Sequence, residues 1–225
     1  MEQSTQALLP LPSLYPEPLN EKYKRNWIFK TRIISLIIAL FFCVYELTTS
    51  GFGYFRYFTQ WGLMITNLYF GTALFAPNWK HLHQFFQIAW TNEALITIIF
   101  WLILLPVYLW HPDVAANYKS DLFSTIDRIA AHFVPIAALS FDFSLGNWTI
   151  SRWDFVYSYF LMFCYAMFDG FIVMSGKPEA YPLVMTWQNA LSLLTLLVLN
   201  VIMVGIFTVS YVATRKKRET DVPLP

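Results

Sequence analysis

The sequence contains few charged residues and few cysteines. Only 13% of its 225 residues are Asp, Glu, Lys or Arg, whereas about a quarter of the residues in a soluble domain are charged. Cys43 and Cys164 both lie in apolar runs, which argues against a disulfide framework and predicts free, buried thiols. A net charge of +1 gives no electrostatic basis for binding nucleic acid, so we expect no such partner.

Several signatures of catalytic and metal sites are also missing. The sequence has no Gly-rich phosphate loop and no Ser nucleophile elbow. His81 and His83 are close in sequence, but side chains two residues apart point to different sides of a helix, and no third ligand is near. We therefore expect no metal and no cofactor. No secretory signal occurs in residues 1–26, so we expect the first apolar span to direct membrane insertion.

What the chain does have is a series of long apolar runs. Hydrophobic residues make up 57% of it and aromatic residues 19%, and about 20 apolar residues suffice for a helix to cross a bilayer. The sequence predicts an all-α integral membrane protein, a bundle of six transmembrane helices within residues 27–214. A polar, Pro-rich tail (1–26) precedes it and a basic, polar tail (215–225) follows. The predicted spans are 33–47, 57–75, 85–110, 121–143, 154–174 and 184–212.

The distribution of basic residues predicts the orientation. With six spans both termini lie on one side, and cytoplasmic segments are enriched in Lys and Arg. If the termini are cytosolic, only Arg56, Lys119 and Lys177 face outward, Arg128 lies within the membrane, and all other Lys and Arg face inward. We therefore expect both termini in the cytosol, in a multi-pass protein of the endoplasmic reticulum or plasma membrane rather than of mitochondria.

The fourth predicted span, residues 121–143, carries unusual polar residues. Arg128, His132 and Asp142 fall on one helical stripe, opposite a side of Ile, Ala, Phe, Val and Leu. Ionisable side chains at membrane depth are costly and usually face the bundle interior or a reactive site. His132 is the group best suited to chemistry. An equally good interpretation is that His132 only hydrogen-bonds a neighbouring helix.

Depth estimates bring polar groups from four helices to a similar level. With a rise of about 1.5 Å per residue, Glu46, Thr59, Arg128, His132 and Asp169 all fall in the outer half of the bundle. A hydroxyl becomes a nucleophile when a base such as histidine takes its proton, and a carboxylate can orient that base. Thr59 also fits a purely structural role, because Thr59, Gly62, Thr66 and Ala73 form a small-residue stripe suited to helix packing.

One segment carries a family resemblance. Gly53-x-x-Arg56-x-x-Thr59, followed by an apolar stretch that ends Tyr69-Phe70-Gly71, resembles the androgen-induced-gene family of multispan intramembrane threonine hydrolases. His132 followed by Val134-Pro135, and Tyr181-Pro182 before the last span, are also similar to that family. The resemblance covers most of the membrane region and suggests a distant branch.

The resemblance implies that Thr59 is the nucleophile and His132 the base of a hydrolase of fatty acid esters of hydroxy fatty acids or similar lipid esters. The lipid substrate would come from the bilayer. Arg128 is then a candidate to bind a lipid carboxylate, and Asp169 or Glu46 a candidate to orient His132. Two alternatives stay open: a non-catalytic accessory subunit with protein partners in a membrane complex, and a small transporter, for which no inverted repeat is visible.

Overall fold

The described residues are mostly helical, and none of them forms a strand. The computed structural model describes residues 19–110, 122–146, 148, 150–151, 153–177, 180–181 and 190–221. A 3-10 helix, Gly51–Arg56, connects the first two α-helices, and a π-helical segment, Phe100–Leu104, connects the third and fourth. The α-helices in these residues are α1 (Leu19–Ser50), α2 (Phe58–Phe75), α3 (Leu82–Ile99), α4 (Leu105–Trp110), α5 (Leu122–Leu145), α6 (Phe155–Met174) and α7 (Ala190–Asp221).

Several of these helices are apolar over the length of a bilayer. In the described residues, four segments are long and apolar enough to cross a membrane: Arg25–Thr49, Leu82–Val107, Phe155–Met174 and Leu194–Arg215. Helix α5 contains a shorter apolar run, Ile129–Leu145. Together these helices suggest a multi-pass membrane protein, because apolar stretches of this length match the thickness of a bilayer.

The helix bounds agree with the predicted spans in the middle of the chain and differ at its ends. Helices α2, α5 and α6 begin and end within two residues of prediction. Helix α1 begins at Leu19, inside the predicted tail, because Pro18 is the last proline before it and nothing further interrupts the helix. Helix α7 continues to Asp221, beyond the predicted start of the C-terminal tail. Three parts of the prediction lie outside the described residues: residues 1–18 of the N-terminal tail, residues 111–120 between the third and fourth spans, and residues 182–189, where the sixth span was predicted to begin.

Helix α3 occupies the centre of the bundle and contacts α2, α5, α6 and α7. One apolar cluster forms where α2, α3 and α5 meet, around the fully buried Tyr69, Phe86 and Leu139. A second cluster joins α2 and α3 to α6 and α7, around Leu95 and Met203. This second cluster surrounds the cavity described below.

A buried ion pair ties α1 to α5. Arg32 Nε donates to Asp142 Oδ1 at 2.9 Å and Arg32 Nη2 donates to Asp142 Oδ2 at 3.3 Å. The Tyr69 hydroxyl also donates to Asp142, and the Arg32 guanidinium lies over the Trp148 ring, 5.5 Å from its centroid. Two-pronged pairing satisfies both charges away from water. The polar stripe of α5 therefore ends in a structural contact at Asp142.

Helices α2 and α3 pack tightly together at Gly62. A Cβ on Gly62 would lie 2.5 Å from Ile96 Cδ1 and 2.8 Å from Glu93 Oε1. Glu93 is fully buried, and its Oε1 accepts a hydrogen bond from Thr66 Oγ1 at 3.1 Å. The stripe of small residues on α2 therefore does pack helices together, as one of the two interpretations of that stripe predicts.

Cys43 and Cys164 are both free, as predicted, and both are half-buried. The Cys43 sulfur lies 3.1 Å from the Tyr54 hydroxyl and forms a hydrogen bond with it. This contact ties α1 to the 3-10 helix that leads into α2.

Candidate functional site

A cavity of about 200 Å³ lies among α2, α3, α5, α6 and α7. Leu, Ile, Val, Met, Phe and Ala side chains form most of its described wall. The polar residues of that wall are Thr59, His132, Tyr165, Tyr181 and Thr195. No acidic side chain, Lys or Arg occurs among its described lining residues. An apolar cavity with a few convergent polar groups is the usual form of a small-molecule site.

Thr59 reaches the cavity from the first turn of α2. Tyr57 precedes the helix in an extended conformation, with φ −103° and ψ 134°, and its side chain makes no capping hydrogen bond. The helix therefore begins with amides that its own N-cap side chain leaves unsatisfied. Thr59 is buried, with 7% of its surface exposed.

Tyr181 supplies the missing cap from a distant part of the chain. Its phenol oxygen accepts the backbone N–H of Phe58 at 3.0 Å, and its ring packs edge-on against the Tyr57 ring, with centroids 5.8 Å apart. Burial raises the pKa of the Tyr181 phenol to about 12, although hydrogen bonding from the Thr59 hydroxyl and the Phe58 amide opposes the rise. Tyr181 therefore lies within hydrogen-bonding range of the Thr59 side chain.

Tyr165 extends this polar group toward α6. Its hydroxyl donates to the Arg56 carbonyl oxygen at 2.8 Å and also lies within hydrogen-bonding range of Tyr181. The Phe58 ring packs on the Tyr165 ring, with centroids 4.9 Å apart. Thr59, Tyr181 and Tyr165 thus form one polar patch at one wall of the cavity.

His132 lines the cavity from α5. Its imidazole stacks on the Phe100 ring, with centroids 3.8 Å apart and 12° between the planes. Thr97 Oγ1 donates to the His132 carbonyl oxygen at 2.8 Å, which ties this turn of α5 to α3. His132 Nδ1 is buried and has no hydrogen-bond partner. The ring is thus held by stacking, and one of its nitrogens is unsatisfied.

The π-helical segment places Phe100 beneath that ring. Pro106 follows the segment, and its ring and missing amide disturb the helix one turn earlier. Such widened turns inside helices occur frequently at functional sites. Ile103 and Leu104 of the same segment line the cavity. The segment therefore forms part of the cavity wall and also positions the Phe100 ring on which His132 stacks.

The structure brings together two of the five predicted site residues. Thr59 and His132 line the same cavity, although no hydrogen bond joins their side chains. Glu46 instead accepts a hydrogen bond from Gln60 Nε2 at 2.8 Å. Asp169 is buried on α6 but is not among the described lining residues. The side chain of Arg128 lies outside the described residues.

Sequence reasoning missed the aromatic part of the site. With 21 Phe and 13 Tyr in the chain, composition alone could not single out Phe100 or Tyr165. Tyr181 was marked only as part of Tyr181-Pro182 in the family resemblance, without a role in the site. Pro106 was the available signal for Phe100, because a proline near a helix end predicts irregularity one turn earlier. No comparable sequence signal marks Tyr165.

Comparisons with known proteins assign no family to the chain and identify no relative of it. A scan against protein-family models and searches of curated proteins and of solved structures found no match.

Proposed function

We propose that this chain is a membrane-embedded hydrolase of lipid esters, with Thr59 as nucleophile and His132 as base. The observation that carries the proposal is that these two side chains, from different helices, line one apolar cavity. The resemblance to the intramembrane threonine hydrolases supports the same two roles. Fatty acid esters of hydroxy fatty acids, or lipid esters of similar chemistry, are the proposed substrates, and no cofactor is needed.

The proposed reaction is acyl transfer to Thr59 followed by hydrolysis. Thr59 Oγ attacks the ester carbonyl carbon while His132 takes the hydroxyl proton. Collapse of the tetrahedral intermediate breaks the ester C–O bond, and His132 returns the proton to the leaving alcohol. Water then attacks the acyl-threonine carbonyl carbon while His132 again accepts a proton. The bond between the acyl carbon and Thr59 Oγ breaks, His132 returns the proton to Thr59 Oγ, and the fatty acid leaves. No hydrogen bond joins the two side chains in the free protein, so substrate binding would have to bring His132 within hydrogen-bond reach of the Thr59 hydroxyl, directly or through one water, with the ester carbonyl beside Thr59 Oγ.

The walls of the cavity favour an acyl chain. Leu95, Ile96 and Ile99 of α3 face it from the interior. Leu194 and Val198 of α7 line it too, yet 55% and 38% of their surfaces are exposed. These two side chains therefore border both the cavity and the outer surface, and we propose that a lipid enters sideways from the bilayer past them.

The same proposal includes the topology. Six helices cross the membrane, with both termini in the cytosol, so that Thr59 near the start of α2 lies toward the outer side. Single cysteines introduced at exposed Lys177 and at Lys80 would test this in a variant lacking Cys43 and Cys164. A membrane-impermeant maleimide applied to intact cells should label position 177 and spare position 80. The reverse pattern would invert the orientation.

The enzymatic test is hydrolysis by purified protein in lipid nanodiscs. Thr59→Ala and His132→Ala should abolish release of fatty acid from a hydroxy fatty acid ester, whereas Thr59→Ser should retain part of it because the hydroxyl is kept. Thr72→Ala is the matched control: Thr72 lies on the same helix, its hydroxyl donates to the Leu68 carbonyl, and it is not among the described residues that line the cavity. Equal activity in Thr59→Ala and wild type would refute the proposal.

A non-catalytic membrane subunit is the second candidate. It is favoured by a row of exposed apolar side chains on one face of α6, which a partner helix could cover: Phe160, Phe163, Met167, Phe171 and Met174. Purification in mild detergent distinguishes the two, because a subunit should elute with a second protein at fixed stoichiometry. If the protein instead elutes without a second protein and hydrolyses the ester, the subunit candidate is excluded and the enzyme remains.

A further inference from the structure

The proposed hydrolysis needs a donor for the carbonyl oxygen of the ester. That oxygen becomes negatively charged when Thr59 attacks, and a hydrogen bond aimed at it is usually among the largest contributions to catalysis. In an apolar cavity the need is greater, because apolar walls screen the charge less than bulk water does. The inference that follows therefore depends on the proposed function.

Most of the donors near Thr59 are already used. The Phe58 N–H is bonded to Tyr181, and the Gln60 N–H bonds the Tyr57 carbonyl oxygen at 3.0 Å. The Tyr165 hydroxyl donates its single proton to the Arg56 carbonyl oxygen at 2.8 Å. Each of these groups would have to give up a hydrogen bond before it could stabilise an oxyanion.

Tyr181 is in a different position. Its oxygen accepts the Phe58 N–H, so this bond fixes the phenol without using the phenol proton, which is left for an acceptor such as the nearby Thr59 or Tyr165 oxygen or a bound ester. A tyrosine hydroxyl has one proton and can accept as well as donate. Tyr181 lines the cavity beside Thr59, so its O–H can turn from these oxygens to an ester carbonyl bound there.

The electrostatic setting suits a donor to an anion. The partial positive charge at the start of α2 acts on the same point where the Tyr181 oxygen sits. Burial also holds the pKa of this phenol near 12, so the hydroxyl keeps its proton at neutral pH. A group that stays protonated and is fixed in place before reaction costs little reorganisation.

We propose that Tyr181 is the oxyanion donor of the lipid ester hydrolase, contacting the carbonyl oxygen of an ester whose acyl chain fills the cavity. As the Thr59 Oγ–C bond forms, the carbonyl π electrons move to oxygen and the Tyr181 O–H hydrogen bond shortens. Tyr181 keeps its proton throughout. When the intermediate collapses, the electrons re-form the carbonyl and the ester C–O bond breaks.

The test compares Tyr181→Phe with Tyr57→Phe in nanodiscs. Tyr181→Phe removes only the hydroxyl, and kcat should fall by about 10²–10³-fold with KM nearly unchanged, the loss typical of one oxyanion donor. Tyr57→Phe is matched because it removes a neighbouring phenol hydroxyl whose ring packs on Tyr181; its kcat should equal that of wild type.

A second readout separates catalysis from helix capping. A lipid trifluoromethyl ketone forms an oxyanion with the nucleophile, so its affinity for Tyr181→Phe should fall by the same factor as kcat. A non-reactive ether analogue of the substrate should bind both proteins equally. Weaker binding of the ether analogue to the same extent would mean that Tyr181 is only structural, and the proposal would be overturned.

Incorporation of fluorotyrosine at position 181 covers the case in which the Phe variant does not fold. It keeps the ring and hydroxyl but lowers the phenol pKa, so the fall in kcat at alkaline pH should move to lower pH. An unchanged profile contradicts the donor role. If the wild-type protein and Tyr181→Phe hydrolyse the ester equally well, the donor role of Tyr181 is refuted but the proposed function stands. If the wild-type protein neither hydrolyses esters nor binds the ketone, both the proposed function and the donor role are refuted.

Discussion

The imidazole of His132 lies flat on the ring of Phe100, with 3.8 Å between their centroids. The two residues come from different helical segments, α5 and the π-helical segment after α3. Since His132 Nδ1 has no hydrogen-bond partner, this stacking is the main described contact that sets the orientation of the ring. The position of the proposed base therefore depends on the geometry of the π-helical segment.

Replacing Phe100 should impair catalysis more than folding. Phe100→Leu keeps an apolar side chain but removes the flat platform, so His132 can rotate out of line with Thr59. We expect kcat to fall at least about tenfold, because misplacement by about 1 Å can cost 10²-fold. Leu102→Ala, at a side chain that is 71% exposed in the same segment, is the control. Equal kcat values for the two variants would show that stacking does not position the base.

Neutralising Glu46 should have little effect on activity. Its carboxylate accepts a hydrogen bond from Gln60, and His132 Nδ1 bonds no carboxylate. Glu46→Gln should keep kcat within about threefold, whereas loss of an orienting carboxylate in a triad costs about 10⁴-fold. Steady-state kinetics on Glu46→Gln, with His132→Ala as the inactive reference, decides between the two. A loss of several orders of magnitude would restore Glu46 as the orienting residue.

The ion pair between Arg32 and Asp142 should matter for stability. Asp142→Asn leaves the half-buried guanidinium without its carboxylate, and breaking a buried pair costs about 3–5 kcal/mol. Thermal unfolding in detergent should shift to lower temperature, while Arg32→Met combined with Asp142→Leu should recover part of the loss. Lys30→Gln, at an exposed side chain two residues away, should leave the unfolding temperature unchanged. An unchanged unfolding temperature for Asp142→Asn would mean that the pair contributes nothing.

The close approach of α2 and α3 gives a matched glycine experiment. Gly62→Ala would place a methyl group against Ile96 and Glu93, and such overpacking costs about 1–3 kcal/mol. Gly71→Ala, where a Cβ meets nothing within 4 Å on the same helix, should be neutral or stabilising by up to about 1 kcal/mol. Unfolding curves for both proteins give the comparison. Equal stability of the two variants would show that the contact relaxes freely.

Hydrophobic runs predicted the helices well because each run must be buried or meet lipid whatever its neighbours are. The bounds of α2 and α6 followed from composition alone. The N-terminal bound of α1, at Leu19, did not follow from composition. Helix formation there depends on the absence of proline after Pro18 rather than on hydrophobicity.

The site was predictable only in part. Thr59 and His132 could be selected by residue type and depth, and both line the cavity. Depth does not show which side of a helix a residue lies on, however, and the side chain of Glu46 faces Gln60 rather than the cavity. The role of Tyr181 as the cap of α2 was also out of reach, because the contact joins residues 123 positions apart.

Covalent labelling tests the central claim most directly. A lipid fluorophosphonate should label the wild-type protein in membranes, with the adduct on the peptide that contains Thr59. Labelling should be lost in Thr59→Ala and His132→Ala while Thr72→Ala keeps it, with all three proteins eluting as folded species. Absence of labelling in intact wild-type protein, or an adduct that survives Thr59→Ala, would contradict Thr59 as an activated nucleophile.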